Sequence, residues 1–301
     1  MTGDGQLGRS VEGVYDWLVD EPMLHEPVLV VMLTGWIDAA GAAAAAAAAL
    51  AAECATSPLV RFDDDTFIDY RARRPVMELR DGVNSNLVWS TIEVGAGRST
   101  SGRDVLVLTG PEPDMAWHRF AAAVTDIAET LGVTKMVALG AYPFAAPHTR
   151  TPRLSCSSPS TDVLAGVTFA RSSVDVPAGM AAVLEHAMHA RKLPALGIWV
   201  QVPHYIAAVP YPAASVALLD GLTEVTGIEV AATELRAAIG PQRQRLDASI
   251  EENPDHVTML RQLEELYDAS TDGDVSNGPG IEMRSGDELA DEIQRFLRDQ
   301  D

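Results

Sequence analysis

The chain has few of the residues that mark secreted, zinc-binding or nucleic-acid-binding proteins. Its 301 residues include only two cysteines, Cys54 and Cys156, too few for a disulfide framework or a cysteine-rich zinc site. Cationic residues are also scarce, with 22 Lys and Arg against 43 Asp and Glu and a net charge of -21. Such a surface repels phosphate backbones and anionic lipid, so we expect no nucleic-acid partner and no membrane partner.

Long hydrophobic runs are also missing. The longest apolar stretch, residues 39–52, has 14 residues and is rich in alanine, whereas a membrane-spanning helix needs about 20 strongly apolar residues. We interpret this stretch as a buried helix. The first ten residues lack the basic-then-apolar order of a signal peptide, and the sequence therefore predicts a cytoplasmic protein.

Short apolar runs alternate with helical patterns along most of the chain. The run at 28–33 is continuously apolar, as a strand buried on both faces is. We interpret the largely apolar runs at 104–108 and 135–139 as further buried strands, and the run at 196–202 as another strand. Helical patterns lie between and after them, at 39–52, 115–131, 177–191 and 212–226. Strands joined by crossover helices predict a three-layer α/β/α fold with a mostly parallel central sheet. We also expect two exposed antiparallel strands at 76–79 and 87–94, and Asp114 as the N-cap of the helix at 115–131.

The end of the chain differs from the rest. Residues 241–301 contain 16 acidic and 6 basic side chains. We predict an α/β/α domain over residues 1–240 and an acidic, amphipathic helical extension over 241–269, in which a helix begins at Pro241. Residues 270–301 are predicted to form a flexible linker and a short helix at 287–297.

Several enzyme motifs are absent. Neither lysine follows the glycine-rich loop that binds phosphate, and no Gly-x-Ser-x-Gly nucleophile elbow occurs. Gly95-Ala96-Gly97 supplies only two glycines of the dinucleotide fingerprint, and we interpret it as a hairpin or loop. These observations favour a protein that is not an enzyme, and we predict no metal and no cofactor.

The loops after the buried strands contain the most distinctive residues. In parallel sheets, ligands and partners meet the loops at the carboxyl ends of the strands. We predict that ten residues in these loops line a cleft or contact a partner: Thr34, Gly35, Trp36, Asp38, Glu112, Trp117, Tyr142, His148, His204 and Tyr205. Alternatives stay open for three of them. Trp36 and Asp38 suit a pocket wall or a capped helix start, and Glu112 suits an acid–base group or a turn.

The order and spacing of these motifs resemble the proteasome assembly chaperone family of the second type, in its actinobacterial branch, over about residues 11–239. The segments that carry the resemblance are Leu33-Thr34-Gly35-Trp36-Ile37-Asp38-Ala39-Ala40-Gly41, Gly110-Pro111-Glu112-Pro113-Asp114 with Trp117, Leu139-Gly140-Ala141-Tyr142-Pro143, His148-Thr149-Arg150, and His204-Tyr205-Ile206 with Pro210, Pro212, Ala213 and Ser215.

The resemblance implies a fold similar to nucleoside phosphorylases and related hydrolases, and a chaperone that binds proteasome α-subunits. Some archaeal members of the family end in a hydrophobic–tyrosine–any motif that docks into proteasome pockets. This chain ends Arg298-Asp299-Gln300-Asp301 and lacks that motif.

Two functions therefore remain open. The first is a non-enzymatic chaperone or adaptor that binds proteasome subunits or another oligomeric client and forms a homo-oligomer through apolar surfaces. The second is a small-molecule enzyme or binder that uses a phosphorylase-like cleft. An ATP-grasp ligase is less favoured, because the chain shows no lysine-and-carboxylate pattern for ATP chemistry. The second function requires the strand-end side chains to converge on one pocket.

Overall fold

The computed structural model describes residues 13–19 and 23–269. The strands within these ranges are β1 (Tyr15–Trp17), β2 (Val28–Thr34), β3 (Ser57–Phe62), β4 (Val76–Arg80), β5 (Val83–Val88), β6 (Glu93–Arg98), β7 (Asp104–Pro111), β8 (Lys135–Phe144), β9 (Leu154–Ser157) and β10 (Ala195–Pro203). The helices are α1 (Ala42–Glu53), α2 (Asp64–Phe67), α3 (Trp117–Thr130), α4 (Thr161–Ala165), α5 (Met180–Ala190), α6 (Pro212–Thr226), α7 (Thr233–Glu251) and α8 (Pro254–Ala269). Short 3-10 turns lie at Ala39–Gly41 and His204–Ile206.

Eight strands form the central sheet, in the order β1-β3-β6-β7-β2-β8-β10-β9. Strands β7, β2, β8 and β10 are adjacent in this order and run parallel to one another. Antiparallel pairings attach β6, β3 and β1 at one side and β9 at the other. The predicted α/β fold with a mostly parallel central sheet is confirmed.

The central strands are apolar throughout because both faces of the sheet are covered. In β2, Val28, Val30 and Met32 join the core under α1 and α6, whereas Leu29 and Val31 join the core under α3 and α5. This two-sided burial produces the continuous apolar run instead of an alternating pattern.

The alanine-rich stretch forms the buried helix α1. Ala42, Ala43, Ala46 and Ala47 are buried against the sheet and α6, and their short side chains let the helix approach closely. Among the described residues, we find no helix with the length and apolar content needed to cross a membrane.

The predicted antiparallel pair is only partly correct. β4 and β5 form a separate two-stranded sheet, as expected, but β5 ends at Val88 and the next strand, β6, belongs to the central sheet. The interpretation of Gly95-Ala96-Gly97 as a hairpin or loop is wrong, because these residues lie within β6. A Cβ atom on Gly97 would lie 2.3 Å from the carbonyl oxygen of Cys54. The glycine therefore permits close backbone approach.

The predicted N-cap of α3 is also wrong. The helix begins at Trp117, and its N-cap residue, Ala116, has a φ of 55° and makes no side-chain cap. The Asp114 carboxylate instead accepts hydrogen bonds from the backbone N–H of Asp69 (3.0 Å) and from Arg73 Nε (3.0 Å). It therefore ties the segment after α2 to the end of β7.

The prediction that a helix begins at Pro241 is wrong. α7 begins eight residues earlier, at Thr233, and contains Pro241 in its interior. The preceding sequence, Glu-Leu-Arg-Ala-Ala, consists of strong helix formers, which establish the helix before the proline. The boundary at residue 240 therefore falls inside one helix. The predicted linker and the predicted helix at 287–297 lie outside the described residues.

Candidate functional site

The carboxyl ends of the parallel strands bring the predicted residues to one edge of the sheet, where they separate into two groups. One group, the Trp36 corner, consists of Thr34, Gly35, Trp36, Glu112 and Trp117. The other, the His148 cluster, consists of His148, Tyr205 and a residue that we did not predict, Asp247.

Asp38 lies between the two groups and caps α1. Its carboxylate oxygens accept the backbone N–H groups of Ala43 (2.8 Å) and Ala44 (3.0 Å). Burial raises the pKa of this carboxyl, and the backbone hydrogen bonds oppose that rise. The geometry supports the capping interpretation, since both oxygens are directed at the positive end of the helix.

Glu112 caps a second helix, α5, although it is far from that helix in sequence. Its carboxylate accepts the backbone N–H of Met180, the first residue of α5, and its own N–H donates to the carbonyl oxygen of Thr34 at 2.6 Å. Nearby, Trp117 Nε1 donates to the carbonyl oxygen of Pro113 at 2.7 Å. The side chains of Glu112 and Trp117 therefore hold neighbouring backbone segments in place.

The ring of Trp36 lies against backbone and remains half in solvent. A Cβ atom on Gly179 would be 2.8 Å from Trp36 Cδ1, so glycine is needed where the ring packs. Gly35, with a φ of 116°, lies beneath the guanidinium of Arg73. The Trp36 side chain is 44% exposed, which leaves an aromatic surface at the mouth of the corner.

The His148 cluster is a closed chain of hydrogen bonds. The His148 side chain is 0% exposed. Its backbone N–H donates to the Tyr205 hydroxyl (2.8 Å), which lies 2.7 Å from His148 Nδ1. Nε2 lies 3.0 Å from Asp247 Oδ1 on α7. Because the carboxylate can only accept, this network assigns the imidazole proton to Nε2 and directs the Tyr205 proton to Nδ1.

Burial raises the pKa of the Tyr205 phenol, so the hydroxyl stays protonated at neutral pH. The Tyr205 oxygen accepts one bond from His148 and donates another to it, and both His148 nitrogens are engaged. This arrangement could pass a proton from Tyr205 towards Asp247. Its direct structural effect is to attach the loop after β8 to α7.

Residues just after His148 attach the same loop to α8. Arg150 forms a bidentate pair with Asp268, at 2.8 and 2.7 Å, and also contacts Glu264 at 3.2 Å. The Thr149 hydroxyl donates to the same Glu264 carboxylate. Paired charges and hydrogen bonds therefore connect the loop to α8.

An aromatic contact completes this attachment. The Arg153 guanidinium lies 3.7 Å from the ring centre of Tyr267, and Arg153 Nη2 donates to the Tyr267 carbonyl oxygen at 2.9 Å. The Tyr267 hydroxyl donates to the Thr151 carbonyl oxygen. We call residues 148–153 the clamped loop, and α7 with α8 the helical extension.

Besides Asp38, two more predicted residues belong to neither group. The Tyr142 hydroxyl accepts a hydrogen bond from Gln201 Nε2 (3.2 Å) and lies 3.3 Å from Ser155 Oγ. His204 is exposed; its Nδ1 lies 3.4 Å from the Phe144 carbonyl oxygen, and its ring meets that of Tyr205 edge-on. The ten predicted residues thus follow strands at one edge of the sheet, and their hydrogen bonds join them to different partners. That they line a cleft or contact a partner stays a prediction.

Sequence reasoning missed the acidic partners of the clamped loop. From the sequence, Asp247, Glu264 and Asp268 count only among the acidic residues of the predicted extension, yet they bind specific groups on the loop. The available signal was Arg150 and Arg153 close together in a chain with few cations.

Comparisons with known proteins agree with this fold. The model of the PAC2 family matches residues 32–249. A proteasome-assembly chaperone homologue of Mycobacterium tuberculosis is 32% identical, with a TM-score of 0.72, over 77% of this chain and 99% of that one. A protein of unknown function from Corynebacterium glutamicum is 28% identical, with a TM-score of 0.80, over 86% and 98%.

More distant structures share the fold. An archaeal proteasome activator of Pyrococcus furiosus is 16% identical, with a TM-score of 0.62, over 79% of this chain and 99% of that one. The search of curated proteins found no match.

Proposed function

The chain belongs to the PAC2 family, and from this we propose that it is a non-enzymatic, protein-binding chaperone or adaptor that acts on proteasome subunits or another oligomeric client. Its similarity to a mycobacterial proteasome-assembly chaperone homologue supports this proposal. We also propose that it acts in the cytoplasm and without a bound cofactor.

One observation carries the proposal: at the edge of the sheet, the polar side chains are engaged in hydrogen bonds within the protein, whereas apolar side chains are exposed to solvent. Asp38 and Glu112, the carboxylates best placed for acid–base chemistry, are engaged with helix N-termini. Trp36 and Met115, in contrast, are 44% and 45% exposed. Exposed aromatic and methionine side chains are typical of protein-binding surfaces.

The test compares charge substitutions at this surface with one elsewhere. We expect the double variant Trp36→Asp, Met115→Asp to lose binding to purified proteasome α-subunits, measured by isothermal titration calorimetry. Leu266→Asp is the matched control, since Leu266 is 50% exposed on α8, and it should bind like the wild type. Absence of binding by the wild type would exclude proteasome α-subunits as the client, and equal binding by all three proteins would exclude this surface.

We propose further that the protein self-associates through the β4–β5 hairpin. This hairpin stands apart from the central sheet, and its exposed apolar side chains are Val76, Met77, Leu79, Val83, Leu87 and Val88. An isolated two-stranded hairpin is only marginally stable in water. Residues 69–89 also contain four arginines and three acidic residues, which suits contact with the acidic body of a second copy.

The oligomer proposal is tested by sedimentation velocity at several protein concentrations. The wild type should sediment as an oligomer, and the double variant Leu79→Ser, Val83→Ser should sediment as a monomer with an unchanged circular dichroism spectrum. A monomeric wild type at the highest concentration would refute self-association.

A small-molecule enzyme or binder remains the second candidate, and the Tyr205–His148–Asp247 chain is the observation that favours it. Such a chain can move a proton if a substrate reaches the Tyr205 hydroxyl. A thermal-shift screen with nucleosides and nucleotides tests this candidate. Stabilisation by one of these compounds that is lost in Tyr205→Phe would favour it over the chaperone, and no shift with any compound would count against it.

A further inference from the structure

A groove on the outer surface lies between α3 and α5, the two helices on one side of the sheet. Its volume is about 530 Å³, and small apolar side chains form most of its walls. These are Ala121 and Ala122 on α3, and Ala178, Ala182, Val183, Ala187 and Ala190 on or beside α5. Because alanine side chains are short, the groove leaves space for larger apolar side chains from another helix.

The length and position of the groove limit what can fill it. The α5 wall extends from Ala178 to Arg191, which is about 20 Å at the rise of an α-helix. One end opens at the carboxyl edge of the sheet, since Glu112 at the end of β7 binds Met180 at the start of α5. A helix of about three turns would fit along it.

The charges at the rim differ from those of the chain as a whole. His118, His186 and Arg191 border the groove, and Arg191 also pairs with Asp126 (3.3 Å) and Glu129 (2.6 Å). Lys192 follows directly. The charges of Arg191 and Lys192 balance those of the two carboxylates, so the rim is close to neutral in a chain with a net charge of -21. An acidic helix therefore meets less repulsion here than on the rest of the surface.

The remaining part of this chain begins at the same edge of the sheet. α8 ends at Ala269, and the preceding residue, Asp268, binds Arg150 in the clamped loop. Thirty-two residues follow. Residues 270–286 alone can extend about 50 Å, which is enough to pass along the edge of a domain of this size.

Residues 287–297 have the pattern that the groove requires. Leu289, Ile293 and Phe296 have the spacing i, i+4, i+7 that puts side chains on one face of a helix. The segment contains four acidic residues and one arginine. As a helix, its eleven residues would be about 16 Å long, within the length of the groove.

We propose that residues 287–297 of this chain dock as a helix in the groove between α3 and α5. Leu289, Ile293 and Phe296 enter the alanine-lined floor, and the acidic side chains lie next to the rim. Docking adds an intramolecular contact on the side of the sheet opposite α1 and α6.

Disulfide trapping in the full chain tests the proposal. Cys156→Ser removes the partly exposed thiol, while Cys54 is buried and is kept. In this background, the variant Ala182→Cys, Ile293→Cys should form an intramolecular disulfide under mild oxidation, detected by peptide mass spectrometry. The matched control, Ala48→Cys with Ile293→Cys, puts the first cysteine on an exposed position of α1 across the sheet, and we expect it to react at least tenfold more slowly.

A second comparison separates docking from random collision. Adding Leu289→Asp and Phe296→Asp to the trapping variant should lower the rate of disulfide formation at least tenfold, because the apolar face is lost. Equal rates in the trapping and control pairs, or no effect of the two aspartates, would overturn the proposal. Disulfides that form only between two chains would also overturn it and assign the groove to a second copy.

Discussion

The His148 cluster and the Trp36 corner lie at the same edge of the sheet but use their polar groups in opposite ways. In the cluster, side chains bond to side chains of the helical extension, and His148 is completely buried. At the corner, Glu112 bonds to backbone and the Trp36 ring stays open to solvent. The chain closes the first region with the helical extension and leaves the second open to solvent, where we propose that a partner binds. Although both regions come from loops at the strand ends, the His148 cluster forms a contact inside the protein (the joint between the clamped loop and the helical extension), and the Trp36 corner forms a solvent-exposed surface.

The largest expected effect follows from breaking the closed region. His148→Ala removes the imidazole that accepts the Tyr205 proton and bonds to Asp247, and it creates a cavity at a fully buried position. We expect the free energy of unfolding to fall by about 3 kcal/mol, measured by urea denaturation. The helical extension should also exchange its amide hydrogens faster than in the wild type.

His204→Ala is the matched control for this change. His204 is exposed and makes one long contact, 3.4 Å, to the Phe144 carbonyl oxygen, so its removal should cost less than about 0.5 kcal/mol. If the two histidine variants lost a similar amount of unfolding free energy, the His148 cluster would not be what attaches the helical extension to the rest of the protein.

The second prediction concerns Glu185, a buried acid on α5, the helix that Glu112 caps. Burial raises the pKa of Glu185 to about 7, opposed by a hydrogen bond from Ser157. The folded protein therefore keeps a proton that the unfolded chain loses near pH 4.5, and stability falls as the pH rises from about 4.5 to 7. Glu185→Gln removes this penalty. At pH 8 it should raise the free energy of unfolding by about 2 to 3 kcal/mol, and below pH 4.5 it should have little effect.

Thermal unfolding at pH 4.5, 6 and 8 checks this prediction. Glu265→Gln is the control, because Glu265 is exposed on α8, and it should not change the pH profile. If Glu185→Gln changes the stability equally at every pH, folding does not raise the pKa of Glu185 and the explanation by burial fails. In that case the hydrogen bonds of Glu185 would offset the effect of its burial, as the hydrogen bonds within the His148 cluster do for its buried polar groups.

The sequence predicted those features that depend on local pattern. The continuous apolar run of β2 and the alanine-rich helix α1 follow from two-sided burial, and the structure confirms both. The position of Gly97 in β6 depends on the approach of the backbone at Cys54, and no local pattern shows that. The His148–Asp247 bond joins residues 99 positions apart, so only the folded chain identifies Asp247 as a partner.

The third prediction tests how much the hydrogen bond between Glu112 and the start of α5 contributes to stability. Glu112→Ala removes the acceptor for the Met180 N–H at the start of α5, and we expect a loss of about 1 to 2 kcal/mol in the free energy of unfolding. Glu112→Gln retains an acceptor oxygen and should lose less than about 0.5 kcal/mol. If both variants lost activity towards a substrate while remaining equally stable, Glu112 would be a reacting group, and the corner would not be only a surface.

The smallest effects come from two threonines that compare the regions directly. Thr149 donates to Glu264 across the joint between the clamped loop and α8, whereas Thr34 is exposed and lies 3.4 Å from the Gly110 carbonyl oxygen within its own corner. Thr149→Ala should therefore lower the free energy of unfolding by about 1 kcal/mol, and Thr34→Ala by less than about 0.5 kcal/mol. Urea denaturation of the two variants, with hydrogen exchange of α8, provides the measurement. Faster exchange in α8 should accompany only Thr149→Ala, because of the two threonine hydrogen bonds only that of Thr149 connects the body of the protein to the extension. If Thr34→Ala had the larger effect, the open corner would be as integral to folding as the joint, and the distinction between the two regions would be lost.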